Sequence, residues 1–122
     1  MSEIDDLYAD IERYESYIEE LEEYYSKIQA ERDTITSDYY TPAMEYDITV
    51  GSQFLGERKE NAFTLQRSIQ KKTESAQNET TAFLAAIKSA IENLKALIKD
   101  CNDKINALLA AMKGPDEEQG NA

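Results

Sequence analysis

Apolar and aromatic side chains recur every three or four residues through the first 35 residues, and this spacing restricts the fold more than any other feature. The series is Ile4, Leu7, Ile11, Tyr14, Ile18, Leu21, Tyr25, Ile28 and Ile35, with Arg32 as an interruption. Such a heptad seam is typical of a helix that packs lengthwise against another helix. Ser2 stands three residues before Asp5 as a capping pair, and the chain has no proline before Pro42. The pattern predicts a helix over about residues 3–36.

A second helix is predicted over about residues 57–113, because this stretch lacks glycine and proline and ends at Gly114 and Pro115. Residues 37–56 are predicted to form an ordered connector, in which TPAME is a helical turn capped by Thr41 and YDITV is a short strand. The acidic tail, 114–122, is predicted to be disordered. The fold class is therefore all-α: one domain over residues 1–113, built as a long, coiled-coil-like antiparallel helical hairpin.

The second helix is unevenly apolar. Residues 66–82 offer Ile69 and a few alanines as contacts, and they are predicted to be solvated or poorly packed. Beyond them, large apolar side chains form a seam that is widened on one side by Phe83, Ala90, Leu97 and Leu109. The seam consists of Leu84, Ile87, Ile91, Leu94, Ile98, Cys101, Ile105, Leu108 and Met112. This face is broad enough to contact more than one neighbouring helix.

Helix length bears on how that face is covered. At about 1.5 Å per residue the first helix spans roughly 50 Å, so it covers the second helix only to the neighbourhood of Ala90. Each large side chain left in water beyond that point forgoes about 1.5 to 3 kcal/mol. Either the second helix breaks near residues 73–81 and forms a three-helix bundle, or another chain covers the face. We favour another chain.

Three tyrosines support a partner chain. Tyr8, Tyr17 and Tyr24 flank the seam of the first helix, and tyrosine suits interfaces that have one wet side. Charged substitutions at Leu94 and Ile98 are then expected to abolish partner binding and leave helicity largely intact. The predicted interaction residues are Tyr8, Tyr17, Tyr24, Phe83, Leu84, Ile87, Ile91, Leu94, Leu97, Ile98, Ile105, Leu108 and Met112.

The charge of the chain restricts its partners. The net charge of −12 argues against binding to nucleic acid or to an anionic membrane surface. Residues 1–36 carry 12 acidic and 3 basic side chains, whereas residues 57–113 carry 7 acidic and 10 basic ones. Opposite charges favour pairing of the two helices with each other, and the remaining acidic excess suits a basic face on a partner. No stretch is apolar enough to span a bilayer and the N-terminus is acidic, so we expect a cytoplasmic protein without direct membrane insertion.

Residue types argue against catalysis. The chain has no histidine and a single cysteine, Cys101, which falls on the apolar seam and is expected to be a buried, inert thiol. The acidic pairs Glu19–Glu20 and Glu22–Glu23 are read as a solvated helix face. The glycines of GSQFLG lack the lysine of a phosphate-binding loop. We predict a protein that is not an enzyme and uses no cofactor or metal.

The connector carries a family resemblance. Phe54, Leu55 and Gly56 stand between the two long helices, and Phe63 follows on the opening turns of the second. This resembles the Trp-x-Gly corner of the WXG superfamily, with phenylalanine at the tryptophan position. An aromatic side chain there plugs the open end of the hairpin, and glycine permits a tight backbone.

Among relatives of that superfamily, the chain is similar to the small YwqH-like helical proteins found beside LXG toxins. The resemblance implies an accessory or targeting partner that binds the helical N-terminal region of an LXG toxin in the type VII secretion system of Gram-positive bacteria. It also implies export together with that partner, and a second small helical protein as a further partner.

Two other classes of protein stay open. One is a prefoldin-like chaperone subunit, in which YDITV and QFL would pair as a β-hairpin across Gly51 and Ser52. The other is a homodimeric structural coiled coil, in which the uncovered apolar face meets its own copy and the chain alone is a homo-oligomer.

Overall fold

The computed structural model describes the backbone of residues 2–47 and 56–120 and the side chains as far as Lys113. Within these residues the chain forms α1 (Glu3–Thr34), a π-helix (Ile35–Tyr40), α2 (Thr41–Glu45) and α3 (Glu57–Gly120), and it contains no strand. The predicted all-α fold of the helical-hairpin type is confirmed. None of the described helices is both long and apolar enough to cross a membrane.

The first helix begins where the capping pair predicts. The backbone N–H of Asp5 donates a hydrogen bond of 3.1 Å to Oγ of Ser2, which satisfies a donor that has no partner inside the helix. Acidic side chains occupy the first turn, at Glu3, Asp5 and Asp6. Their negative charge is favourable beside the positive end of the helix dipole.

Helical structure continues past the predicted end of the first helix at residue 36. The π-helix and α2 add 6 and 5 residues, so the start of the predicted connector is itself helical as far as Glu45. The turn TPAME is helical as predicted, but Thr41 is not its cap, because the residue before it, Tyr40, already has helical φ and ψ. The chain leaves the helical region at Tyr46, where ψ is 123°. Residues 48–50 of YDITV, and the QFL strand of the prefoldin-like β-hairpin, lie outside the described residues.

The π-helix changes which side chains point inward. Ile35 continues the predicted seam, but it is 44% exposed. A π-helix holds more residues per turn than an α-helix, so the inward position moves along the chain. Tyr40, at the end of this turn, is half-buried instead.

The helix α3 is continuous. It passes through residues 73–81 without a break, which excludes the three-helix bundle. It also continues beyond Lys113 to Gly120, so the helix does not end where Gly114 and Pro115 predict and the acidic tail begins inside it. A proline removes one hydrogen bond and bends a helix, and it does not always terminate one.

Contacts divide the chain into two compact units. The terminal unit contains Met1–Tyr24 and Ile87–Ala122. Its core cluster consists of Leu7, Ile11, Cys101 and Ile105, with Ile4, Tyr14, Ile98 and Leu108 packed against it. The start of α1 therefore packs against the part of α3 between Ile98 and Leu108. The expectation that the first helix covers α3 only to Ala90 is wrong, because Leu7 and Ile11 pack with Cys101 and Ile105. The helical residues before the connector extend from Glu3 to Glu45, further than the predicted end at residue 36.

The middle unit is Tyr25–Ala86. Here too the helical segments run antiparallel. Gln77 on α3 bonds to Arg32 near the end of α1, whereas Gln66, earlier on α3, bonds to Ala43 on α2. Leu84 is buried, with 4% of its surface exposed.

Candidate interaction surface

The predicted interaction residues separate into a buried and an exposed group. Leu84, Ile87, Ile91 and Ile105 are buried, and Leu94, Ile98 and Leu108 are half-buried. The exposed group consists of Tyr8, Tyr17, Tyr24, Phe83, Leu97 and Met112. The surface open to a partner is therefore narrower than the sequence predicts.

The buried group forms core within the chain itself. Ile105, at 2% exposure, belongs to the cluster with Leu7 and Ile11 of α1, and Ile98 packs against that cluster. A partner would have to unfold the terminal unit to reach these side chains. The expectation that charged residues at Ile98 would spare helicity does not agree with this packing. Cys101 lies in the same cluster as a free, buried thiol, as predicted.

Three exposed apolar side chains of the terminal unit, Tyr17, Tyr24 and Leu97, share one edge of its helix pair. Tyr17 and Tyr24 follow the seam positions Tyr14 and Leu21 by three residues, so they occupy the same heptad position. Leu97, and the smaller Ala90, occupy that position on α3. In an antiparallel pair of helices, matching positions of this kind lie along the same side of the seam. We call these four residues the tyrosine edge.

The tyrosine edge is substantially open. Tyr17, Tyr24 and Leu97 are 45%, 56% and 42% exposed, and Ala90 is half-buried. Solvated edges of two-helix coiled coils usually carry charged side chains. Large apolar side chains at this heptad position on both helices are therefore unexpected for a surface that faces only water.

The opposite side of the seam has that usual composition. Glu15 and Glu22 of α1, with Lys88 and Lys95 of α3, occupy the corresponding positions and are exposed. We call this side the charged edge. Tyr8 lies on it as well, 52% exposed and one heptad before Glu15. Its heptad position thus places Tyr8 on a different edge from Tyr17 and Tyr24.

An open cavity of about 300 Å³ lies at the end of the terminal unit. Ile4 contributes to its wall from α1, and Leu108 and Met112 contribute from α3. Met112 is the most exposed of the predicted interaction residues, at 75%.

The composition predicts that residues 66–82 are solvated or poorly packed, and this prediction is wrong. In the middle unit these residues form polar contacts with the end of α1, the π-helix and α2. Nε2 of Gln77 donates to the carbonyl oxygen of Arg32 at 3.1 Å and to Oγ1 of Thr36 at 3.0 Å. Nε2 of Gln66 donates to the carbonyl oxygens of Ala43 and Tyr46 at 2.9 and 3.2 Å. These bonds join α3 to the end of α1, to the π-helix and to the end of α2.

A clear signal for this polar seam exists in the sequence. Gln66, Thr73, Gln77 and Thr80 continue the spacing of Leu84 backwards along α3, so they occupy seam positions filled by polar residues. All four are half-buried. They were not among the predicted contacts, because polar side chains at seam positions do not contribute to an apolar pattern.

A shallow cavity of about 220 Å³ lies next to the polar seam. It is lined by Thr36, Tyr40, Thr73, Glu74, Gln77 and Asn78. The hydroxyl of Tyr40 donates a hydrogen bond of 2.9 Å to Oε1 of Glu74, and this bond raises the pKa of Tyr40 above its usual value. Its position and partner identify Tyr40 as a contact between the π-helix and α3.

The middle unit also exposes three large apolar residues of α3. Phe83 is 55% exposed, Leu65 is 62% exposed and Ile69 is 38% exposed. Phe83 is a predicted interaction residue, whereas Leu65 and Ile69 are not. Leu65 and Ile69 are four residues apart and lie on neighbouring parts of one helix face. Nearby, the exposed Lys72 adds positive charge.

The predicted turn residues are only partly described. Phe54 lies outside the described residues. Gly56 has φ of +59°, in the left-handed region that favours glycine, and its carbonyl oxygen accepts a bond of 3.2 Å from the N–H of Glu60. Phe63 is half-buried on the second turn of α3, with Nζ of Lys59 6.0 Å from its ring centroid.

No group of three or more metal-ligating side chains occurs in the described part of the chain. The acidic pairs Glu19–Glu20 and Glu22–Glu23 are exposed on α1. In comparisons with known proteins, the chain matches no family model, no curated protein and no solved structure.

Proposed function

We propose that this chain is a non-enzymatic, chaperone-like accessory partner that binds the helical N-terminal region of an LXG-type toxin for type VII secretion. Two independent features support the proposal. One is the sequence resemblance of Phe54, Gly56 and Phe63 to the WXG corner, together with the left-handed backbone of Gly56. The other is the set of exposed aromatic and aliphatic side chains on a helix pair.

The tyrosine edge carries this proposal. Tyr17, Tyr24 and Leu97 keep 42–56% of their surface exposed while the core beside them is closed. Tyrosine combines a large apolar ring with a hydroxyl that tolerates water, and protein interfaces are enriched in it. A helix from another protein that covers this edge would bury these side chains without opening the core.

Co-purification tests the proposal. The chain would be coexpressed with the helical N-terminal region of an LXG-type toxin from the same genome, and light scattering would measure the mass of the species eluting from a sizing column. We expect a defined heteromer that persists at micromolar concentration. A chain that elutes alone and monomeric in the presence of the toxin region would contradict the proposal.

The same column distinguishes the homodimeric coiled coil. The apolar side chains of the tyrosine edge could be covered by a toxin or by a second copy of the chain. A stable dimer of the chain alone that does not bind the toxin region would favour the homodimer. If the proposal holds, the chain remains in the cytoplasm until it leaves with its partner through the secretion system, and a second small helical protein joins the complex.

A further inference from the structure

We infer that the tyrosine edge is the docking surface for one amphipathic helix whose apolar stripe is flanked by lysine or arginine side chains. This inference rests on the proposed function and specifies the surface and the chemistry of the partner. Its starting point is the difference between the two edges of the terminal unit. One edge carries exposed glutamates on α1 and exposed lysines on α3, with Tyr8 and Leu109 at its end, whereas the other carries Tyr17 and Tyr24 on α1 and Leu97 on α3.

The shape of the edge suits a helix. Tyr17 and Tyr24 are seven residues apart on α1, which is about 10 Å along the helix axis. Leu97 and Ala90 have the same separation on α3. The edge thus offers two parallel rows with the heptad repeat that a third helix presents, and the small side chain of Ala90 leaves room for a large residue of the partner.

The charge around the edge selects the partner. Between Glu3 and Tyr24 the chain has ten acidic residues and one basic residue, Arg13. Arg13 already pairs with Asp10, with 3.2 Å between Nη2 and Oδ1. Glu20 lies between Tyr17 and Tyr24 on the same face, three residues after the first and four before the second, and it is exposed. A basic side chain beside the apolar stripe of a partner would therefore meet Glu20.

A second copy of the chain fits this edge poorly. Two copies that paired through their tyrosine edges would bring one strongly acidic α1 segment close to the other, and like charges at an interface oppose association. The lysines of α3 between Ile87 and Lys113 number five against three acidic residues, which is too few to neutralise the two α1 segments. A basic helix from a different protein removes this repulsion.

Paired substitutions in the full chain test the surface. The double variant Tyr17→Lys with Leu97→Lys places positive charge on the tyrosine edge. Its matched control, Tyr39→Lys with Leu109→Lys, makes the same chemical change at an exposed tyrosine and an exposed leucine, 69% and 40%, that do not belong to that edge. The probe is the helical N-terminal region of the LXG-type toxin, and calorimetry measures its dissociation constant. We expect about 100-fold weaker binding for the first variant and less than about threefold change for the control.

A second pair tests the charge. Glu20→Lys and Glu19→Lys change the net charge equally, but Glu20 lies between the two tyrosines whereas Glu19 lies on the side of the charged edge. We expect Glu20→Lys to slow association about tenfold at low salt, and Glu19→Lys to slow it much less. Circular dichroism of all four variants should match that of the natural chain, because each altered residue is exposed.

The outcomes separate the inference from the proposed function. A toxin complex that tolerates Tyr17→Lys with Leu97→Lys would overturn the docking surface and leave the proposed function intact. Equal slowing by Glu19→Lys and Glu20→Lys would overturn the basic flank beside Glu20. Failure of the natural chain to bind the toxin region would overturn both proposals, and a dimer of the chain that the first variant dissociates would assign the edge to a second copy.

Discussion

The side-chain amide nitrogen of Gln77 lies 3.1 Å from the main-chain carbonyl oxygen of Arg32 and donates a hydrogen bond to it across the middle unit. The same nitrogen also donates to Oγ1 of Thr36 at 3.0 Å. One polar side chain therefore ties α3 to the junction between α1 and the π-helix. The carbonyl oxygen of Arg32 also accepts a bond of 3.2 Å from Oγ1 of Thr36.

Replacing Gln77 with alanine should destabilise the protein by about 1 kcal/mol, the usual net value of a partly buried hydrogen bond. Urea unfolding followed by circular dichroism measures this change. Gln70→Ala is the matched control, because the side chain of Gln70 is exposed and donates a hydrogen bond within α3, to Glu74 at 3.3 Å. Equal stability of the two variants would show that the polar seam does not hold the middle unit.

The core cluster predicts a larger effect. Ile105 is 2% exposed, so Ile105→Ala removes buried methyl groups and leaves a cavity, and we expect a loss of about 3 kcal/mol. Leu109→Ala, four residues away and 40% exposed, should change stability by less than about 0.5 kcal/mol. Thermal unfolding of both variants tests this. A small loss at Ile105 would mean that the terminal unit does not close around it.

Adjacent residues on α3 separate core from surface. Ile98 packs against the core cluster, whereas its neighbour Leu97 is 42% exposed on the tyrosine edge. Ile98→Glu should lower the free energy of unfolding by more than about 2 kcal/mol, because an unpaired charge would enter the core. The helical circular dichroism signal at 222 nm should therefore be lost at a lower temperature. Leu97→Glu adds the same charge and should leave the unfolding temperature nearly unchanged. Similar unfolding temperatures would contradict the assigned packing.

The left-handed backbone of Gly56 predicts a purely conformational penalty. An added Cβ there would meet nothing within 4 Å, so Gly56→Ala introduces no clash with neighbouring atoms. The positive φ of +59° should still make this variant about 1 kcal/mol less stable. Gly56→Asn should recover part of the loss, since asparagine tolerates this conformation better. Equal destabilisation by both residues would point to a cause other than backbone conformation.

The hydrogen bond from Tyr40 to Glu74 predicts a pH dependence at the alkaline end. Because this bond raises the pKa of Tyr40 above the ordinary 10.0, it stabilises the fold while the phenol is protonated. That stabilisation should be complete below pH 10 and should disappear as the pH rises through the elevated pKa. NMR titration of chains labelled at the tyrosine ring carbons would detect the late transition.

Two substitutions assign that transition. Tyr40→Phe removes the titrating group, and Glu74→Gln removes the negative charge that holds its proton. The first should abolish the late transition, and the second should shift it to lower pH. Tyr39→Phe is the control, because Tyr39 is 69% exposed beside it. Persistence of the late transition in Tyr40→Phe would assign it to another tyrosine.

Several elements follow from sequence because their causes act over a few residues. The Ser2 cap, the seam of α1 and the buried position of Cys101 agree with the structure. Spacing and side-chain type decide these features, and both can be read from neighbouring residues. The length of the helical segment before the connector, Glu3 to Glu45, could not be predicted in this way. It depends on the π-helix, which shifts Ile35 outward and prolongs the helical backbone to Glu45.

By itself, then, the sequence determined that this protein consists of two long amphipathic arms with opposite charge, because a heptad repeat specifies both the helix and the face it buries. Only the tertiary structure decided that the chain itself covers the apolar residues of α3 beyond Ala90. The antiparallel register buries Ile105 and Ile91 inside the chain and leaves Tyr17, Tyr24 and Leu97 at the surface. Register depends on contacts between residues far apart in sequence, such as Gln77 with Arg32, and no local pattern specifies those contacts.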